Sequence, residues 1–185
     1  MSDTLRIATW NIHGAVGLDR RRRPQRIVAV LDAIDADIIA LQEVPLGDAM
    51  QQQLERDGRY HLIAAPTMTC RGEPFGNALL TRLPLIQSTL IDISVDRREP
   101  RVLIDARLRA ANHSSLRILT THCGLHADER RQQFAMLGAL IADADNEASV
   151  ILGDFNEART SSRRWHALDT QHAPNSQAPI PAWLP

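Results

Sequence analysis

Leu116-Arg117-Ile118-Leu119-Thr120-Thr121-His122 and Val150-Ile151-Leu152-Gly153-Asp154-Phe155 decide the fold, because each repeats a stretch from earlier in the chain. The first matches Leu5-Arg6-Ile7-Ala8-Thr9-Trp10-Asn11, and the second matches Ile39-Ala40-Leu41-Gln42-Glu43-Val44. Leu116 stands 111 residues after Leu5, and Asp154 stands the same 111 residues after Glu43. Short runs of this kind, alternating or continuously apolar, read as strands. Between the two strands of each copy lies a helical period. Pro24 suits a first helical turn and is followed by Ile27, Val30, Leu31 and Ile34; in the second copy Phe134, Leu137, Leu140 and Ile141 share one side of a helix over Asp128 to Asp143. The chain therefore contains two copies of strand, loop, helix, strand. Each copy delivers polar residues at matched strand ends: Asn11 with His122, and Glu43 with Asp154.

Outward from the repeat, a helix is expected over Asp48 to Arg56, stopped by Gly58. Strands are expected at Tyr60–Ala64, Ala78–Thr81, Leu85–Val95 and Arg101–Arg109. Their short connections predict antiparallel pairing. The segment from Arg159 to Pro185 shows no period and reads as surface coil. Its close on Pro181-Ala182-Trp183-Leu184-Pro185 sets apolar groups between prolines without a packing partner, which predicts that a longer chain continues the domain. Residues 1–157 then form the domain, and 158–185 begin a C-terminal part that the sequence breaks off.

Composition narrows the function classes. The 185 residues are 44% hydrophobic, enough for one buried core, and only 4% aromatic, so that core must be aliphatic. With 21 Lys+Arg, all of them Arg, against 22 Asp+Glu, the net charge is -1. That balance excludes binding to nucleic acid by bulk charge alone. No run approaches the roughly 18 apolar residues of a membrane span, and the start reads as strand rather than signal peptide. A cytoplasmic protein without integral membrane association is expected. Cys70 and Cys123 are then expected as two reduced, buried thiols. Arg26, Arg130 and Arg131 are expected to face solvent from helices.

In open α/β folds the C-terminal ends of strands are where ligands bind. Here those ends offer Asn11, Glu43, His122, Asp154 and Asn156. A carboxylate at the end of a buried strand must be paired, hydrogen-bonded or metal-bound, since an isolated buried charge is costly. The set is rich in oxygen donors and has no Cys/His cluster, so it suits a hard divalent cation such as Mg²⁺ rather than structural zinc. An ion held by one or two carboxylates completes its shell with water and phosphate oxygens, which points to metal-assisted phosphoryl hydrolysis.

Five stretches in order, Trp10-Asn11-Ile12-His13-Gly14, Leu41-Gln42-Glu43-Val44, Gly76-Asn77-Ala78-Leu79-Leu80-Thr81-Arg82, Thr121-His122-Cys123-Gly124-Leu125 and Gly153-Asp154-Phe155-Asn156, resemble the motifs of the endonuclease/exonuclease/phosphatase superfamily. The resemblance implies an α/β (α+β) fold: a four-layer α-β-β-α sandwich of two mainly antiparallel sheets with an internal pseudo-two-fold repeat. It implies that Glu43 binds Mg²⁺ or Mn²⁺, with Asn11 in the metal or water shell. It implies that His122 bonds the scissile phosphate, that Asp154 and Asn156 orient the attacking water and a phosphate oxygen, and that Asn77 and Arg101 lie on the substrate side. The family pattern closes on a Ser-Asp-His motif that supplies a general base. This sequence has none, and His166 and His172 are its only histidines after Asn156. On that reading the C-terminal strands of one sheet are missing too.

Three functions follow. The first is a divalent-metal-dependent hydrolase of phosphate esters, acting by in-line attack of water. The second is a DNA endonuclease of the same superfamily, with nucleic acid as partner and the Arg20–Arg23 run contacting its backbone. The third is a catalytically incomplete binding module for phosphorylated ligands.

Overall fold

The computed structural model describes residues 4–110, 114–142, 148–159 and 162–169. Eight strands form two four-stranded sheets in the orders β1-β2-β4-β3 and β5-β6-β7-β8. In the first sheet β1 (Ile7–Asn11) runs parallel to β2 (Ile38–Pro45), while β4 (Glu73–Thr81) is antiparallel to both β2 and β3 (His61–Cys70). In the second, β5 (Leu85–Asp92), β6 (Val102–Arg109) and β7 (Ser115–His122) are antiparallel in turn, and β8 (Ala148–Asp154) lies parallel to β7. Each parallel pair is joined by a helix: α1 (Pro24–Ile34) in the first and α3 (Ala127–Ala142) in the second. These are the two repeated units of the sequence.

Alternation along the strands builds the four layers, since successive side chains of a strand point to opposite faces. In β2, Ile39 and Leu41 pack with Ile27 and Leu31 of α1 and with Met50 and Leu54 of α2 (Asp48–Glu55). Its alternate residues Ile38 and Ala40 meet Ile104, Ala106, Leu108 and Ile118 of the other sheet. On the far side of that sheet Leu103 and Leu119 pack against Phe134 and Leu137 of α3. Burying each of the Ile, Leu, Met and Phe side chains among these contributes about 1.5–3 kcal/mol.

The structure corrects several expectations. β3 and β4 extend past Ala64 and before Ala78 to the hairpin at Arg71-Gly72, because the register shift near Pro66 carries the pairing beyond the proline. In α1, Val28 is buried and Val30 is exposed, so the core face is rotated by about one position. The segment after Arg159 contains a helix, α4 (Arg163–Asp169). Trp165 packs edge-on against Phe134 and Phe155, at 5.2 and 5.3 Å between ring centroids. Arg130 is not a solvent-facing residue: its side chain is 13% exposed and its guanidinium donates to the carbonyls of Gly124 and Leu125. His172 and the rest of 170–185 lie outside the described residues.

The two cysteines are free, but they differ: Cys123 is buried and Cys70, at the end of β3, is exposed. Burial pushes the Cys123 thiol up to about 12, and the thiolate is the reactive form. One equivalent of iodoacetamide adduct is expected on the native chain, at Cys70, and two after denaturation. A second native adduct, located by peptide mass, would contradict this placement.

Candidate active site

Two local features of the strands aim the polar residues at one another. Between Leu41 and Val44 the β2–β4 register shifts, and Glu43 sits in the left-handed region at φ 55°. A bulge of this kind re-aims a side chain, and a non-glycine residue held at positive φ is strain that the surrounding structure maintains. In the second copy Gly153 takes φ 145°, and a Cβ there would lie 2.0 Å from the carbonyl oxygen of Thr121. Only glycine allows that close approach, which brings the end of β8 alongside His122.

The C-terminal ends of β1, β2, β7 and β8 thus converge where the two sheets meet. Asn11 Nδ2 donates to Glu43 Oε1 at 2.8 Å and to Asp154 Oδ2 at 3.1 Å. One amide therefore ties a carboxylate of the first copy to a carboxylate of the second. Asn11 Oδ1 accepts from the backbone N–H of His13, whose ring Nδ1 lies 3.6 Å from Glu43 Oε2. Asp154 Oδ1 accepts from the backbone N–H of Asn156, which is itself at φ 51°.

Asn156 Nδ2 donates to the carbonyl of Cys123 at 2.8 Å and lies 3.1 Å from His122 Nε2. The carbonyl can only accept, so it fixes the orientation of the amide, and the Asn156 amide then donates to an unprotonated Nε2. Burial holds His122 below the ordinary imidazole pKa, and the Arg101 guanidinium adds to that push; the carboxylates of Asp154, Glu43 and Glu99 oppose it without overcoming it. Neutral His122 is consistent with this acceptor role, and its Nε2 stands 3.9 Å from Asp154 Oδ2.

These residues line a cleft of about 410 Å³ together with Asn77 and Arg101. Asn77 is held by a bond from Nδ2 to the Val102 carbonyl at 3.3 Å. All seven candidate residues read from the sequence (Asn11, Glu43, Asn77, Arg101, His122, Asp154 and Asn156) are brought to this one place. His13 joins them, whereas His126 is exposed and does not line the cleft. Thr67, Phe75 and Glu99 also line it and were not singled out by sequence reasoning. They come from a hairpin and a loop that carry no repeat.

The donor set fits a hard divalent cation. Glu43 and Asp154 present carboxylate oxygens to a common amide nitrogen, and among the described residues no three Asp, Glu, His or Cys form a cage. Magnesium typically uses one or two carboxylates and keeps several waters. Among the described residues the set has no thiolate and no cluster of the kind that holds structural zinc. No helix among the described residues is long and apolar enough to cross a membrane.

Comparison with known proteins bears on the same residues. The uncharacterized protein YbhP of Escherichia coli K12 is 28% identical to this chain, over 91% of it and 72% of YbhP. The structure of the mannosyl-6-phosphatase of Bacteroides thetaiotaomicron superposes with a TM-score of 0.75 at 17% identity, covering 91% of this chain and 71% of that one. D. rerio TDP2 complexed with single strand DNA product gives 0.69 at 20% identity, covering 88% and 64%. These structural likenesses establish the fold, a two-sheet α+β sandwich. A model of the Endonuclease/Exonuclease/phosphatase family matches residues 8–184, nearly the whole chain and every residue of the cleft. The chain belongs to the endonuclease/exonuclease/phosphatase family.

Proposed function

We propose that the chain is a divalent-metal-dependent hydrolase of phosphate esters, acting by in-line attack of water on phosphorus. The observation that carries this reading is the junction at Asn11, where one amide binds the carboxylates of Glu43 and Asp154 in a cleft that also holds His122 and Arg101. Glu43 is the carboxylate that would hold Mg²⁺ or Mn²⁺, with Asn11 in the metal or water shell. When bound, such an ion neutralises charge on phosphate oxygens and on the leaving oxygen.

The chain's own groups divide the remaining work. Asn11 orients both carboxylates. Asp154 accepts the proton of the attacking water as its oxygen bonds to phosphorus and the ester oxygen departs. His122, which lines the cleft beside Asp154, is placed to bond an oxygen of the scissile phosphate. Arg101, with Asn77 beside it, faces the phosphate, and Asn156 holds both His122 and Asp154. Groups fixed in advance against developing charge are the main source of such catalysis.

The endonuclease reading draws on one specific feature. The hairpin closed by the Val16–Arg22 bridge starts three residues after the cleft residue His13 and carries Arg20 and Arg21 exposed. Cleavage of bis(p-nitrophenyl) phosphate is expected with Mg²⁺ or Mn²⁺ and to vanish with chelator, returning on re-addition of metal. Turnover that survives chelation would overturn the metal dependence. No turnover with either ion would favour the binding module, and plasmid nicking that weakens steeply with salt would favour the nuclease.

A further inference from the structure

Glu99 is the one acidic residue of the cleft that the mechanism above leaves unused. It lines the cleft with Glu43 and Asp154, and its Oε2 lies 3.3 Å from Nη2 of Arg101, the only arginine among the lining residues. Arg101 is 7% exposed, and its Nε has no hydrogen-bond partner among the described residues. A guanidinium that lines a cleft is a seat for an anion, and guanidinium groups bind phosphate through paired N–H donors.

The loop that carries Glu99 is braced. Ile93 N–H donates to the Arg101 carbonyl at 3.0 Å, Arg101 N–H donates to Ser94 Oγ at 2.9 Å, and Arg98 pairs with Asp128 at the start of α3 at 3.1 Å. The Glu99 carboxylate is half exposed, on the solvent side of a nearly buried arginine.

We propose that Glu99 is a charge filter: its carboxylate partly neutralises the Arg101 seat and favours phosphodiester monoanions over phosphomonoester dianions. The proposal rests on the reading of this cleft as a phosphate-ester site. The charge balance explains the direction. Three carboxylates face one guanidinium and the histidines His13 and His122. A divalent ion would bring the three carboxylates and the guanidinium to neutrality with His13 and His122 uncharged, so a second negative charge on the phosphoryl group meets no surplus positive charge. Removing the Glu99 charge supplies one. Like charges held within a few ångströms in a partly desolvated cleft repel strongly, so the carboxylate discriminates more against the dianion than against the monoanion.

The test is Glu99→Gln in the full chain, which keeps shape and removes charge. With Mg²⁺, the ratio of kcat/KM for p-nitrophenyl phosphate to that for bis(p-nitrophenyl) phosphate is expected to rise at least tenfold, with the melting temperature unchanged. Independently of turnover, inorganic phosphate titrated calorimetrically into the metal-free chain is expected to bind at least tenfold more tightly to the variant. Equal phosphate affinities, or no measurable binding by either chain, would overturn the filter, as would an unchanged ratio. If neither chain hydrolyses any ester but the phosphate affinities differ as stated, the functional reading fails and the filter stands. Glu99→Asp, which keeps the charge, is expected to stay near the parent in both measurements.

Discussion

Asp154→Asn is expected to lower kcat for a phosphodiester by about 10²–10⁴-fold, the range for loss of a positioned proton acceptor, while the chain stays folded. The carboxylate receives the Asn156 backbone N–H on one oxygen and the Asn11 amide on the other. An asparagine in its place retains the volume and one acceptor, so the loop after β8 stays in position. What is lost is the proposed acceptor for the water proton. Circular dichroism and a thermal melt check the fold, and single-turnover kinetics check the chemistry. Activity within threefold of the parent would remove Asp154 from the mechanism.

The second large effect concerns stability. Asp105→Ala is expected to destabilise the chain by about 3–5 kcal/mol, the cost of breaking a buried ion pair by removing one member. Arg117 on β7 donates two bonds to Asp105 on β6, from Nε at 2.9 Å and from Nη2 at 2.6 Å, with side chains only 5% and 9% exposed. Its Nη1 also donates to the carbonyl of Leu140, tying the sheet to α3. Replacing both partners by apolar residues of similar volume, Asp105→Leu with Arg117→Met, is expected to recover most of the loss. Urea unfolding of the parent, the single and the double variant measures both effects. A single variant as stable as the parent would show that the pair contributes only at a surface value.

Much of this architecture is legible in the sequence because the chain says it twice. The 111-residue offset places β1, α1 and β2 against β7, α3 and β8, and the matched polar ends predict which strand termini meet. The illegible parts are those where chemistry departs from the period. Nothing in Gln42-Glu43-Val44 announces that Glu43 leaves the strand geometry at positive φ, since that conformation belongs to the register shift between the Leu41–Ala78 and Val44–Gly76 pairs. Pro66 and Pro74 read as strand breakers, yet each lies in the β3–β4 ladder, next to the register shift or near the hairpin end. Buried polar residues on α3 were also invisible. Gln133 accepts from the Gly124 N–H and donates to the Ile93 carbonyl, and Glu129 covers Gly124 so closely that a Cβ there would lie 1.8 Å from its Cδ. Their helical spacing marks the face they share with Phe134 and Leu137, but not that polar groups on it support the loop after His122.

The amide of Asn11 joins Glu43 in one half of the molecule to Asp154 in the other, and that has a consequence for how the protein fails. A displacement of little more than an ångström would break a hydrogen bond that tolerates only 2.7–3.2 Å. Catalytic competence is then a gauge of alignment across the seam. Substitutions at the inter-sheet contacts of Ile38 or Ile118, far from any reacting atom, would silence turnover while spectroscopy still reported a folded protein.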